Sequence, residues 1–230
     1  MDYVFKKDES GIQFIGNFNQ LYLDEEDPWH QSESDSDKEM SLYYQNARRS
    51  LVDSLNLVID LYGIKNADVA EFGCGLGYVT AQLKNKFPEL NFTGLDISAE
   101  AIRKAKLLNG SSIEFIENDL AQYNEKLDGK FNIILVVNML WYILQDLEKV
   151  MDNIMKYLNP SGINIFILQN AFFKNNQMYG KDIIDGFSGA EKYFKNYLSK
   201  KLELDFVHSS LKEGKNWTHN DGIITFGIKR

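Results

Sequence analysis

The chain is predicted to be an α/β protein built on a Rossmann-like doubly wound sheet, mostly parallel, with a late antiparallel hairpin at one edge. Three observations predict this. Between residues 68 and 169, short apolar runs alternate with stretches of helical periodicity, as successive βαβ units require. The stretch "EFGCGLGYVT", residues 71–80, places three glycines in five positions between an apolar run and a helix-like segment. Finally, two strand-like segments near 202–208 and 222–228 are joined by a short connection, which suggests a hairpin.

Composition limits the function classes. With 230 residues, 44% of them hydrophobic and 13% aromatic, the chain can bury one substantial core, so one domain is expected, with a smaller attachment at most. Cys74 is its single cysteine, so no intrachain disulfide ties it to an oxidising compartment. The first residues lack the basic-then-apolar pattern of a leader, and the longest apolar stretch, 131–143, is too short to span a bilayer. A cytoplasmic protein with no membrane insertion is therefore expected. The net charge of −8 would repel a phosphate backbone, so no nucleic-acid partner is expected either.

In chain order, residues 24–39, "DEEDPWHQSESDSDKE", hold eight acidic residues and one lysine. That pattern reads as a solvated segment that gains order only by covering something, or as a plain acidic loop. Tyr43, Ala47, Leu51, Leu55, Val58 and Tyr62 then recur every three or four residues, predicting a helix over about 38–62 that Gly63 stops. A buried strand is expected at 68–72, a helix at 76–87, a strand at 91–95, a helix to 109 with Ser98 as N-cap, and a strand at 113–116. "FNIILVVNM", from Phe131, is apolar on both alternating faces, as a central parallel strand should be. Leu147, Val150, Met151, Ile154 and Leu158 form a helical stripe that "NPSG" at 159–162 terminates, and "INIFIL" from Ile163 is the next strand. A long connection at 170–188, a helix at 189–201, a turn at "HNDG" (219–222) and the hairpin strands complete the chain. Residues 1–62 are read as a lid segment and helix over the ligand site, and 63–230 as the core.

Gly73, Gly75 and Gly77 allow a tight strand-to-helix turn in which backbone touches ligand. A dinucleotide fingerprint would need a glycine where Tyr78 stands, and there is no Gly-Lys-Ser/Thr of a P-loop. Alone, the turn could be mere close packing of strand on helix. Glu71, Asp96 and Asp119, however, fall at the ends of three successive strands, on the edge of the sheet that faces ligand. An acid near an amino group, an acid accepting ribose hydroxyls and an acid accepting an adenine amine would together suit S-adenosylmethionine.

At these residues the chain resembles the class I S-adenosylmethionine-dependent methyltransferases. "VAEFGCGLG" is similar to their glycine motif, "LDIS" to their ribose-binding turn, "ENDL" to their adenine-contacting segment and "LNPSG", with two departures, to the turn before their fifth strand. The resemblance covers 67–169, and the hairpin agrees with that fold's reversed seventh strand. It implies S-adenosylmethionine as cofactor and S-adenosylhomocysteine as product. Glu71, Gly73, Cys74, Gly75, Gly77, Asp96, Ile97, Asp119, Leu120 and Asn138 would form the binding set in the core.

The flanks "DPWH" (27–30), "YYQNARR" (43–49) and "FNIILVVNMLWYI" (131–143) are similar to the N-methyltransferases of nodulation-factor sugars and related polysaccharide-tailoring enzymes. That similarity implies an N-terminal segment folded over the cofactor, with Trp29, Tyr44 and Arg48 near its methionine end and Arg48 paired with the carboxylate. Phe131-Asn132 stands where those relatives have Phe-Asp.

The expected partner is a small polar acceptor, a sugar or glycan precursor in surface polysaccharide or secondary metabolite synthesis, methylated on N or O. The segment Asn138-Met139-Leu140-Trp141 departs from the Asn/Asp-Pro-Pro-aromatic pattern of enzymes that methylate nucleobase amines or amide nitrogens. An amine acceptor needs only alignment, whereas a hydroxyl also needs a base. His30 is the candidate base, against an ordinary loop histidine, and Tyr142 the candidate acceptor-pocket residue, against a core aromatic. His208 and His219 are read as packing or surface residues, Cys74 as a small packing residue, and the 170–188 connection as an acceptor loop or a plain crossover. No metal set emerges from three scattered histidines and one cysteine. Three other readings stay open: O-methylation of a phosphoryl-bearing capsule precursor such as a phosphoramidate, a nicotinamide-dependent reductase, and a cofactor-binding regulatory subunit without activity. The oligomeric state is left open.

Overall fold

The computed structural model describes residues 3–9, 11–32, 38–175, 177–214 and 218–229. It opens with a hairpin, β1 (Phe5–Asp8) and β2 (Gly11–Phe14), and a short helix, α1 (Phe18–Asp24). The long helix α2 (Lys38–Tyr62) precedes the alternating core: β3 (Asp68–Phe72), α3 (Tyr78–Lys86), β4 (Asn91–Asp96), α4 (Ala99–Asn109) and β5 (Glu114–Glu117). Then come β6 (Ile133–Val137), the single turn α5 (Leu140–Ile143), α6 (Leu147–Tyr157), β7 (Ile163–Phe173), α7 (Gly186–Ser199), β8 (Glu203–Lys212) and β9 (His219–Lys229).

The central sheet has the order β5-β4-β3-β6-β7-β9-β8. Strands β3 to β7 are parallel, and β9 is antiparallel to both β7 and β8. The predicted doubly wound sheet with a reversed edge hairpin is thus present. Winding reverses between β3 and β6, so the crevice above their carboxyl ends is the natural ligand site.

Each face of the sheet carries its own core, as the two-sided apolarity of the strand from Phe131 requires. Ile134 and Val136 join Phe72, Phe131, Tyr157 and Phe166 under α6 and α7. Ile133, Leu135 and Val137 join Leu51, Leu55 and Val58 of α2, Leu83 of α3 and Ile102 of α4 on the other face. Burying each such side chain stabilises the fold by about 1.5–3 kcal/mol before chain entropy is subtracted. A polar clamp seats α2: the Gln169 Nε2 donates to the Ala47 carbonyl at 2.6 Å and to the buried Asp221 carboxylate at 3.1 Å.

Several boundaries shift from expectation, and four of the shifts have an evident physical reason. Helix α3 begins at Tyr78 rather than 76, because Gly77 is left-handed (φ 77°) and forms its N-cap. Residues 170–173, expected in a loop, extend β7, where Ala171 pairs with Asp221 and Phe173 with His219. The same ladder pulls "HNDG" out of its expected turn and into β9, so that pairing overrides local turn propensity. Helix α7 starts at Gly186, three residues early, its first N–H groups helped by the Gln177 Oε1, which accepts from the Gly186 amide at 3.0 Å. In the acidic stretch, residues 33–37 lie outside the described residues. Before them, Asp27 closes a turn by accepting from the amides of Gln31 (3.1 Å) and Ser32 (2.7 Å).

Candidate cofactor and acceptor site

The β3–α3 turn is tied to the end of β4 by its own amides. The Gly73 and Cys74 N–H groups both donate to the Leu95 carbonyl, at 2.7 and 3.0 Å, and the Gly77 N–H donates to the Cys74 carbonyl at 2.8 Å. The Gly75 N–H donates to the Asp96 Oδ2 at 2.9 Å, while the Ser98 N–H holds Oδ1 at the same distance. A pyrophosphate-binding turn would keep such donors for its ligand. Here the turn presents to the crevice a carboxylate fixed by backbone. Burial pushes the Asp96 carboxyl above its ordinary range, and the Ser98, Gly75 and Ile97 amides pull it back.

The glycines differ in what they make room for. All three have positive φ, which only glycine adopts without strain. A Cβ at Gly73 would lie 2.0 Å from the Met139 Sδ, and one at Gly75 would lie 2.5 Å from the Tyr22 hydroxyl oxygen. At Gly77 it would meet the Phe115 ring at 2.7 Å and the Asn109 Nδ2 at 2.9 Å, so this glycine serves helix-on-sheet packing.

Above the turn lies a cavity of about 450 Å³. Its floor contains Gly73, Cys74, Gly75, Asp96, Ile97, Asp119, Leu120 and Asn138 of the expected set. Asp119 is oriented by its own turn, its Oδ1 accepting the Ala121 amide at 2.9 Å. Ile97 stands 48% exposed, an apolar surface suited to a purine face. Asn138 is left-handed (φ 54°), and its Oδ1 accepts from the Ala171 amide at 3.1 Å, so this strained corner braces the end of β6 against β7.

The roof comes from the N-terminal segment. Phe14, Phe18, Tyr22, Trp29, Gln31 and Tyr44 line the cavity together with Tyr142 of α5. Tyr142 is the hub: its ring centroid lies 5.2 Å from Phe18, 5.9 Å from Trp29 and 6.3 Å from Phe14. Burial raises the Tyr142 phenol well above its ordinary value and pushes that of Tyr44 up to about 12, so both stay neutral hydrogen-bonding groups at neutral pH.

Four expected site residues do not line the cavity. His30 is exposed beside Trp29 on a left-handed turn (φ 53°). Arg48 is buried, one terminal nitrogen donating to the Gln31 carbonyl, so it positions a lining residue. Glu71 is buried behind the turn and accepts the Thr80 hydroxyl; desolvation pushes its carboxyl up to about 8, against the pull of Thr80 and Arg48. Gly77 is the fourth. None of the described residues of 170–188 lines the cavity either; the connection meets the roof where Tyr179 packs 5.2 Å from Phe5. Tyr22, Phe14, Phe18, Gln31 and Met139 went unread in the sequence. For the two that lie on α1, Phe18 and Tyr22, their i, i+4 spacing was the signal. Among the described residues no group of His, Cys, Asp and Glu could hold a metal ion, and no described helix is long and apolar enough to cross a membrane.

A methyltransferase-domain family profile matches residues 69–162. A protein of Methanocaldococcus jannaschii, named as a protein N5-glutamine methyltransferase, is 32% identical over 162 residues, covering 69% of this chain and 70% of that protein. The malonyl-[acyl-carrier protein] O-methyltransferase of Bacillus anthracis is 31% identical over 126 residues, 54% of this chain and 46% of that enzyme. With shares of 46%, 58% and 43%, the matches span about half the length of such relatives. In fold, the chain is similar to the N-methyltransferase NodS from Bradyrhizobium japonicum WM9 in complex with S-adenosylhomocysteine (TM-score 0.66, 17% identity, 93% of this chain and 97% of that chain). The resemblance to nodulation-factor methyltransferases is therefore present at the level of the fold. With the glycine turn, the strand-end acid Asp96 and the reversed hairpin in place, these similarities show that the chain belongs to the class I S-adenosylmethionine-dependent methyltransferases.

Proposed function

We propose that the chain transfers a methyl group from S-adenosylmethionine to N or O of a small polar acceptor, a sugar or glycan precursor. The observation that carries the cofactor is the closed glycine turn: its amides bind Leu95 and Asp96, leaving a carboxylate where a dinucleotide site offers anion-binding donors. Asp96 would accept the ribose hydroxyls, Asp119 the adenine amine, and Ile97 and Leu120 would sandwich the base. Gly73, Cys74 and Asn138 would border the methionine end. Trp29 and Tyr44 would close over it, with Arg48 acting through Gln31.

The cofactor supplies an activated methyl on a sulfonium. The chain's own residues align the acceptor and exclude water. The Phe14, Phe18, Trp29 and Tyr142 rings offer faces on which the C–H surface of a sugar packs, and Tyr142 would orient a polar acceptor group. Among the described lining residues Lys149 is the only cation, beside Asp96, Asp119 and Asp146. That balance favours a neutral or cationic acceptor over a phosphoryl-bearing one. His30, outside the cavity, stays a proposal for the base only if the acceptor is a hydroxyl.

Thermal stability with S-adenosylhomocysteine and, separately, NADH tests the cofactor: at about one hundred times Kd a ligand adds about 2.7 kcal/mol. A shift with S-adenosylhomocysteine alone is expected; a shift with NADH alone would overturn the assignment. A screen of amino sugars, neutral sugars and phosphorylated sugars, read by a mass gain of one methylene, then tests the acceptor. Transfer to the phosphorylated set alone would overturn the charge argument.

A further inference from the structure

Helix α1 is fastened to the helix that follows Asp96. The Asn19 Oδ1 accepts from the Glu100 amide at 3.0 Å and from the Ser98 hydroxyl at 3.2 Å, supplementing the cap of α4. The Lys104 ammonium reaches back to the carbonyls of Tyr22 and of Glu25, the latter at 2.9 Å, satisfying acceptors at the end of α1. Tyr22 lies three residues beyond Asn19, on the same face, so this double fastening drives its ring down onto Leu76 and Ala101. The ring is 2% exposed, with its hydroxyl at Gly75 and close enough to Asp96 to feel its charge. The Tyr22 oxygen accepts the Trp29 indole N–H at 2.9 Å. Tyr22 lines the cavity, and its hydroxyl donates to none of the described residues, so its proton is available to a ligand there. Trp29 in turn packs on Tyr142.

We propose that Tyr22 is a cofactor-binding residue: its hydroxyl, aimed by Trp29, donates to an oxygen of the ribose-to-methionine stretch of S-adenosylmethionine. The same Trp29 carries that contact to Tyr142, the wall of the acceptor space. This rests on the cofactor reading above and adds to it a polar contact from the roof. The Tyr22 hydroxyl holds the Trp29 N–H and Trp29 packs on Tyr142, so one chain of side chains joins the proposed cofactor contact to the acceptor wall.

The test is calorimetric titration of S-adenosylhomocysteine into the full chain. Tyr22→Phe keeps the ring and removes the hydroxyl; it is expected to bind roughly tenfold more weakly, the effect of one buried hydrogen bond. Trp29→Phe keeps an aromatic against Tyr142 and removes the N–H; a loss of roughly threefold is expected, because the Tyr22 hydroxyl is then free to turn. The double variant should bind no more weakly than Tyr22→Phe, since Trp29→Phe keeps a ring over the methionine end and removes only the N–H that acts through Tyr22. Unchanged affinity in a Tyr22→Phe protein that melts like the wild type would overturn the contact, and additive losses would overturn the relay. Should Tyr22→Phe fail to fold, unchanged affinity in Trp29→Phe overturns the proposal by itself. A wild-type chain that does not bind S-adenosylhomocysteine would instead overturn the cofactor reading beneath it.

Discussion

The floor and the roof of the cavity are built by different means. The floor is backbone: strand ends, a glycine turn and two aspartates, with hydrogen bonds that run between neighbouring parallel strands. The roof is side chain: phenylalanines, tyrosines and a tryptophan from the N-terminal segment and α5, held to the floor by Asn19, Lys104 and ring contacts. In the reading proposed above the floor meets the cofactor alone, whereas the roof meets both ligands, Tyr22, Trp29 and Tyr44 facing the cofactor and Phe14, Phe18 and Tyr142 the acceptor space.

Four substitutions test that division, from the largest effect to the smallest. Gly75→Val attacks the floor where backbone and roof touch: its Cβ would lie 2.5 Å from the Tyr22 oxygen on a left-handed backbone (φ 52°). Binding of S-adenosylhomocysteine should disappear; retained affinity in a folded variant would mean the turn does not contact the ligand.

Glu71→Gln probes the support behind the floor through pH. The folded-state carboxyl is raised to about 8 by burial, while unfolded it titrates near its ordinary value of about 4.3. The folded chain therefore holds the proton more tightly, and Glu71 lowers stability progressively as pH rises from about 4.3 towards 8, by an amount on the order of a few kcal/mol. Denaturant unfolding of Glu71→Gln across that window should lack this decline, and parallel curves for the two proteins would place the carboxylate in a charged, compensated state instead.

Asp96→Ala should weaken S-adenosylhomocysteine binding by about 1.5–3 kcal/mol, the loss of hydrogen bonds to a charged group. A change of a few tenths, measured by calorimetry, would remove Asp96 from the ribose. Asn19→Ala, in the roof, should cost about 1 kcal/mol of stability as a lost cap. If its midpoint is unchanged, the roof is not fastened through α4 and the contrast with the floor grows sharper.

The same division explains what could be read from the sequence. The floor was legible because its signals are local: Asp96 and Asp119 just after successive apolar runs, glycines where a strand turns into a helix, and Ser98 as a cap, its hydroxyl accepting the Ala101 amide. The roof was not. Strands β1 and β2 have four residues each with mixed exposure, so no alternation marks them. What orders α1 is Asn19 meeting Ser98 and Glu100, a contact across about eighty residues that no window of periodicity contains. The 170–188 connection misled for a related reason. Its first residues carry loop-like polarity, yet Asn170 and Ala171 are claimed by β9, a partner some fifty residues on. Trp29, Tyr44 and Tyr142 were found through resemblance and by their place after a strand; Tyr22 emerged only once the glycine turn had a neighbour.

Cys74 is the chain's single thiol, 4% exposed within the glycine turn, its sulfur packed where a Cβ on Gly94 would lie 2.9 Å away. Burial holds it protonated, so a thiol-labelling reagent can reach it only when the turn opens. The chain thus carries a built-in clock: the rate at which a disulfide reagent labels the native protein reports how often the floor of the site breathes. A bound ligand that closes the turn stops that clock in proportion to its occupancy, without any introduced probe.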